Sequence, residues 1–151
     1  MTPSFRFRLE RVRAVRERKE KLAQRQLADA LTRRSSSVSE LRSAEDRVEH
    51  ARAEQRSAAS QPQALSGNEL LARQAFLERT EAQRTMRERE LGQREAEVAA
   101  RDAELATAAT EHEMLNRLRE RRRSEHEREA ARHESSVLDE IAVTRFTRSR
   151  A

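Results

Sequence analysis

Histidines and carboxylates near residue 130 are the residues whose types and spacing come closest to a catalytic site. The run from His126 to His133 has a superficial likeness to the zinc-protease motif, in which two His ligands stand four residues apart on one helix. Here Ala130 occupies the position of the second ligand, so the two histidines are too far apart to share a metal. Glu129 and His133 have the spacing of a weak metal-binding pair, but they are better explained as ordinary surface residues.

No other arrangement of residues predicts catalysis. The serines have no base and orienting acid in a strand-turn-helix context, and no glycine-rich phosphate loop occurs. The sequence therefore predicts a protein that is not an enzyme and that has no cofactor and no metal.

The composition is that of long helices. Charged residues make up 39% of the 151 residues and hydrophobic ones 35%, with two Gly, two Pro and no Trp or Tyr. Abundant Ala, Glu, Arg and Leu are typical of a coiled coil. Disorder is the competing interpretation at this polarity, but a sustained apolar period and the scarcity of Pro and Gly argue against it.

The only strong helix breakers between Phe5 and Gly92 lie within residues 57–69. Pro62 removes a backbone donor, so a helix arriving there is expected to stop. Ser66 and Glu69 have the spacing of a capping box, which indicates that a new helix starts beside them. These signals favour a reversal of the chain over the alternative, a single kinked helix.

The predicted fold is therefore all-α, an antiparallel two-helix coiled-coil hairpin with a longer second helix. We expect one domain over residues 1–151, with helix 1 at about 4–57, a turn at about 58–66 and helix 2 at about 67–148. At a rise of about 1.5 Å per residue, the arms would be roughly 80 and 120 Å long. Phe5 would then face a residue near 121, and helix 2 would extend past helix 1 by about 25 residues.

Apolar residues at helical spacing predict the packed faces of both helices. In helix 1 these are Leu9, Val12, Val15 and Leu22, followed by Leu27, Leu31, Val38, Leu41 and Val48. In helix 2 they recur every seven residues, with Arg84 as a break, at Leu77, Leu91, Val98 and Leu105.

Apolar residues return at helical spacing near the end of helix 2, beyond the reach of helix 1. They are Val137, Leu138, Ile141 and Phe146. An apolar face without an intramolecular partner usually marks a binding site. Packing on a second copy of the chain is the alternative.

Positive charge is concentrated at the beginning of the chain. Residues 1–25 contain nine basic and three acidic side chains, which accounts for more than the whole net charge of +5. Such a patch can steer the chain toward an acidic partner, although a solvated helix face explains it equally well. Nucleic acid is a less favoured partner, because readers of single strands use aromatic platforms and only four Phe residues are present.

The absence of Cys fits a reducing compartment, and the first residues contain no apolar signal segment. No run is long and apolar enough to cross a bilayer. We therefore expect a cytoplasmic protein.

Both ends of the chain resemble one known family. The chain opens with the run Phe5-Arg6-Phe7-Arg8-Leu9-Glu10-Arg11-Val12, followed by Val15 and Arg18. Near its end, the Arg- and Glu-rich residues 127–134 precede Leu138-Asp139-Glu140-Ile141-Ala142 and Arg145. These patterns, the length and the expected hairpin resemble the flagellar export protein FliJ family.

The resemblance implies a non-enzymatic role in flagellar type III protein export. It implies a stalk that links and stimulates a hexameric export ATPase, engages the membrane export gate or export chaperones, and sits at the cytoplasmic face of the inner membrane. The implied ATPase-binding residues are Phe5, Arg6, Arg8, Arg11, Leu138, Asp139, Glu140, Ile141 and Arg145. The implied contacts of the hairpin end are Leu70, Leu71, Phe76 and Leu77, of which Leu77 also fits the packed face.

Two other functions are consistent with the residues alone. One is a generic homodimeric structural coiled coil, and the other is a basic helical protein that binds nucleic acid. A tight dimer in sedimentation would favour the first. Steeply salt-dependent binding to DNA or RNA would favour the second.

Overall fold

Two long α-helices make up nearly all of the described chain in the computed structural model, which describes residues 4–60 and 66–149. The first helix, α1, spans Glu10–Ala59 and has 50 residues, and the second, α2, spans Gly67–Ser149 and has 83. The predicted all-α hairpin with a longer second helix is confirmed. The breaker Pro62 lies outside the described residues, and the assignment of the whole chain to one domain stays a prediction.

Helix α1 begins at Glu10, later than the predicted start at Ser4. The Glu10 N–H donates to the Phe7 carbonyl oxygen at 3.1 Å, which closes the turn that leads into the helix. The difference has an electrostatic reason. An acid in the first turn favours the positive end of the helix dipole, whereas a start at Ser4 would put Arg6 there.

The predicted capping box at the start of α2 is present. The Ser66 N–H donates to Glu69 Oε2 at 2.7 Å, and the Glu69 N–H donates to Ser66 Oγ at 3.3 Å. The hydrogen bond from the Ser66 backbone is the main cause that lowers the pKa of Glu69 below 4.5. The cap therefore stabilises the helix start at neutral pH and is lost as the pH falls through that lowered pKa.

Replacing the capping serine is expected to destabilise the chain. Ser66→Ala should lower the free energy of unfolding by about 1 kcal/mol, because a helix amide loses its acceptor. Urea unfolding followed by circular dichroism measures this change. Ser35→Ala is the matched control, since Ser35 is exposed within α1 and Ala is the better helix former there. Equal effects of the two substitutions would contradict a capping role.

Contacts divide the chain into two compact units. We call residues 22–105 the hairpin unit, and residues 1–21 with 106–151 the terminal unit.

Small side chains form the buried seam of α1 in the hairpin unit. They recur at strict seven-residue spacing, at Ala23, Ala30, Ser37, Ala44, Ala51 and Ala58. Ala30 is fully buried, with 0% of its surface exposed, and Val48 and Thr80 are buried beside this seam. Because the separation of packed helices depends on the side chains between them, a seam of small residues favours a close approach of α1 and α2.

The predicted stripe of large apolar residues on α1 is only partly packed. Val48 is buried and Leu27 and Leu41 are half-buried, but Leu31 and Val38 are 46% and 41% exposed. The small-residue seam sets the rotation of α1, and this rotation turns Leu31 and Val38 toward solvent. Leu22 is also exposed.

The predicted seven-residue apolar spacing of α2 agrees with the burial. All five residues of the pattern are half-buried, namely Leu77, Arg84, Leu91, Val98 and Leu105. Ion pairs between the two helices flank this seam. They join Arg33 to Glu97 at 2.7 Å, Arg87 to Glu40 at 2.7 Å, and Arg52 to Glu81 at 2.8 Å.

A network of polar side chains connects the two helices of the terminal unit. His112 Nδ1 lies 2.6 Å from Glu20 Oε2, and His112 Nε2 lies 3.2 Å from Asn116 Nδ2. Arg13 Nη1 donates to Asn116 Oδ1 at 3.4 Å. This network occupies the side of α1 that faces α2. The expectation of a packed stripe at Leu9, Val12 and Val15 is therefore wrong. Those three side chains are between 39% and 48% exposed.

Candidate partner-binding surfaces

The N-terminal segment, residues 4–9, lies against α2 in the terminal unit. The rings of Phe5 and His126 are tilted by 58°, with their centroids 5.8 Å apart. Around this contact lies an open groove lined by residues 5–9 and, on α2, by Leu118, Arg122, Glu125, His126 and Glu129. The resemblance singled out Phe5, but sequence reasoning gave no partner-binding role to the α2 residues.

The position of Phe5 along α2 differs from the prediction by about five residues. The expected neighbour was a residue near 121, and the observed one is His126. The reason is local conformation, since residues 4–7 are not helical. An extended residue advances roughly 3.3 Å whereas a helical one advances about 1.5 Å, so the segment reaches further along α2.

Three of the predicted ATPase-binding residues near the start of the chain are cations without an ion-pair partner in the described part of the chain. Arg6, Arg8 and Arg11 are all exposed. Nearby, Glu10 is engaged by Arg13 at 2.6 Å and by Arg119 at 3.7 Å. The three guanidinium groups are therefore available to an acidic partner.

The C-terminal part of α2 presents the other predicted contacts. Leu138, Asp139, Glu140, Ile141 and Arg145 are helical and exposed. At about 100° per residue, Leu138, Ile141 and Arg145 lie on one side of the helix, and the two acids lie elsewhere around it. An apolar face that carries a cation is thus exposed near the end of the described chain.

The two sets of predicted ATPase-binding residues are not joined to each other. Within residues 4–60 and 66–149, no hydrogen bond, ion pair or ring contact links Phe5 or the three free arginines to residues 138–145. Phe5 instead contacts His126, more than ten residues before Leu138. The structure therefore contains two separate surfaces here.

The hairpin-end residues fall into two classes. Leu70, Leu71 and Phe76 are 49%, 69% and 47% exposed, whereas Leu77 is half-buried on the α2 seam. This burial agrees with the packing role that the sequence favoured for Leu77. The other three side chains are exposed within the first three turns of α2.

Two kinds of site are absent from the residues that the structure describes. Neither helix, as far as the structure describes it, has a segment apolar and long enough to span a membrane. The same residues contain no cluster of three or more His, Asp or Glu side chains placed to hold a metal ion.

Comparison with known proteins assigns the family. The model of the family described as flagellar FliJ protein matches residues 5–151. The chain belongs to the flagellar FliJ family. Neither the search of curated proteins nor the search of solved structures found a match.

Membership of the FliJ family confirms the resemblance seen in the sequence. It makes this chain a component of the flagellar protein export apparatus, with a role in flagellar biogenesis. The family consists of structural, chaperone-like export components rather than enzymes.

Carboxylates at the N-terminal end of this FliJ-family chain are held in their ionised form. The hydrogen bond from Arg13 lowers the pKa of Glu10, and the hydrogen bond from Lys21 lowers the pKa of Glu17. Both groups start from an ordinary value of 4.5. A lowered pKa in the folded state stabilises the fold above the unfolded value, and this stabilisation is lost as the pH falls through the folded value.

Acid is therefore expected to destabilise this FliJ-family hairpin, with Glu10 and Glu17 contributing. The melting temperature followed by circular dichroism should fall as the pH drops below 4.5, and Glu10→Gln with Glu17→Gln should make that fall shallower. The control pair is Glu120→Gln with Glu134→Gln, two exposed acids with no ion pair among the described residues. If both pairs changed the pH profile equally, the assigned ion pairs would not be its cause.

Proposed function

We propose that this chain is a stalk of the flagellar export apparatus that links and stimulates the hexameric export ATPase. Family membership supports a role in export, and the surfaces of the terminal unit support the finer assignment. A stalk acts by presenting side chains to other proteins. The absence of a catalytic arrangement in the sequence is consistent with that role.

The exposed C-terminal part of α2 is the observation that carries the proposal. Every residue from 131 to 149 is exposed, yet this segment includes Val137, Leu138 and Ile141. Full burial of one such side chain contributes about 1.5–3 kcal/mol, so leaving three in water is explained by a partner that covers them. The proposed ATPase end consists of this face together with Phe5, Arg6, Arg8, Arg11 and Arg145, with Asp139 and Glu140 at its border.

The turn end of the hairpin unit is proposed to contact the export gate or export chaperones. Leu70, Leu71 and Phe76 support this assignment, because three exposed apolar side chains lie close together in sequence. Leu77 is proposed to support this end through its packing on the α2 seam. A protein that joins the ATPase to the gate would act in the cytoplasm, at the inner face of the membrane.

A turnover assay tests the proposal. Adding the chain to the purified export ATPase should raise its rate of ATP hydrolysis or promote its hexamer. The phosphate released per ATPase gives the first quantity, and sedimentation gives the second. If neither the rate of ATP hydrolysis nor the amount of hexamer changed at a saturating concentration of the chain, the stalk assignment would be wrong.

A homodimeric structural coiled coil is the second candidate. The exposure of Leu31 and Val38 in the hairpin unit favours it, because a second copy could cover both. Sedimentation of the chain alone separates the two functions. A stable dimer supports the structural coiled coil, and a monomer supports the stalk.

A further inference from the structure

The exposed side of α1 in the terminal unit is both apolar and basic. Arg11, Val12, Val15, Arg18 and Lys19 are all exposed, and Val12 and Val15 keep 45% and 48% of their surface in contact with solvent. At about 100° per residue, these five residues lie within about 120° of one another around the helix. We call them the α1 outer face.

The amphipathic pattern of this part of α1 is inverted. Arg13 and Glu20 face α2, and their side chains are only 18% and 22% exposed. The two valines, which would be the ordinary choice for an interface between helices, point instead to solvent. An amphipathic helix that presents its apolar side to water is expected to have a further partner.

The charge around the two valines specifies the chemistry of that partner. Each acid in residues 4–21 already has a basic partner within the chain. The pairs are Glu10 with Arg13 and Arg119, Glu17 with Lys21 and Arg13, and Glu20 with His112. Arg11, Arg18 and Lys19 have no ion pair among the described residues. The α1 outer face therefore carries three uncompensated positive charges.

We infer that the α1 outer face binds an acidic amphipathic helix of another protein, which packs beside α1 as a third strand of the coiled coil. Val12 and Val15 would contact its apolar stripe, and the cations would pair with Asp or Glu residues that flank the stripe. A second copy using the same face would bring Arg11, Arg18 and Lys19 against themselves, so like charges oppose self-pairing. Nucleic acid would leave both valines uncovered by apolar surface.

This inference does not require the partner to be the export ATPase. It shares only Arg11 with the proposed ATPase end. Arg11 is therefore left unchanged in the test, so that a failure here is distinct from a failure of the stalk assignment.

The test uses the full chain and two synthetic peptides of three heptads. Both peptides carry Leu at the a and d positions; one has Glu at the e and g positions, and the other has Lys. Fluorescence anisotropy of labelled peptide measures the affinity. The Glu peptide should bind at least about tenfold more tightly than the Lys peptide, and added salt should weaken its binding.

Charge reversal locates the binding site. Arg18→Glu with Lys19→Glu should weaken binding of the Glu peptide about tenfold and strengthen binding of the Lys peptide. Val15→Gln should weaken binding of both peptides, since the apolar contact is common to them. The control is Arg42→Glu with Arg47→Glu, two exposed arginines of the hairpin unit with no ion pair in the described chain. It should change either affinity less than twofold.

Three results would overturn the inference. The first is equal affinity for the two peptides, and the second is an equal effect of the two charge-reversed variants. The third is binding of RNA or of anionic vesicles that is lost in the Arg18→Glu, Lys19→Glu variant while neither peptide binds. Circular dichroism spectra of all variants should match that of the parent chain, because each substituted side chain is exposed.

Discussion

Removing residues 137–151 is expected to abolish stimulation of the export ATPase. The deleted segment contains the exposed apolar residues Val137, Leu138 and Ile141, which carry the proposed ATPase contact. The rate of ATP hydrolysis should return to that of the ATPase alone. Thermal unfolding of the truncated chain should stay close to that of the parent, because residues 131–149 are all exposed.

A pair of point substitutions separates the contact from the length of the helix. Leu138→Gln with Ile141→Gln removes two apolar side chains and keeps residues that form helices well. If each side chain contributes about 1.5 kcal/mol or more on burial, the affinity for the ATPase should fall at least about a hundredfold. A titration of ATPase turnover against the chain measures this shift.

The matched control removes two apolar side chains elsewhere that are at least as exposed. Met86 and Met114 are 68% and 66% exposed, and neither belongs to a proposed contact. Met86→Gln with Met114→Gln should leave stimulation unchanged. Stimulation at the parent level by the Leu138→Gln, Ile141→Gln variant would show that the C-terminal face does not bind the ATPase.

The parts of the fold that local signals encode could be predicted from the sequence. The capping box of Ser66 and Glu69 depends on two residues three apart, and the structure contains it. The α2 seam depends on apolar residues that recur every seven positions, and burial follows that spacing. The second helix could be predicted to be the longer one, because the turn lies before the middle of the sequence.

The seam of α1 could not be predicted from the large apolar side chains, because all of its members are small residues. Ala is abundant in this chain, so a single Ala carries little information about burial. Its recurrence at residues 23, 30, 44, 51 and 58, with Ser37 between them, is the signal that identifies the seam. Once small residues set the rotation of α1, Leu31 and Val38 are turned outward.

The terminal unit was harder to predict because its contacts join residues distant in sequence. The hydrogen bond between His112 and Glu20 joins residues 92 positions apart and has no local signature. The contact of Phe5 with His126 depends on residues 4–7 being non-helical, so that this segment reaches further along α2. The family resemblance singled out Phe5 and Ile141, but it carried no information on how far apart they lie.

Enlarging a side chain of the small-residue seam is expected to destabilise the hairpin unit. Ala30 has none of its surface exposed, so Ala30→Leu adds three carbon atoms where α1 and α2 are in contact. Overpacking of this kind costs about 1–3 kcal/mol, because neighbouring side chains leave their preferred rotamers or the helices separate locally. The free energy of unfolding in urea, followed by circular dichroism, should fall by that amount.

Ala28→Leu is the matched control, since Ala28 lies on the exposed side of α1 only two residues away. Ala and Leu have similar helix propensities, so this substitution should change the free energy of unfolding by less than about 0.5 kcal/mol. The difference between the two variants isolates the packing cost from any effect on the helix itself. If Ala30→Leu were instead as stable as Ala28→Leu, the helices would have room for a large side chain. Close approach along the small-residue seam would then not be what fixes the rotation of α1.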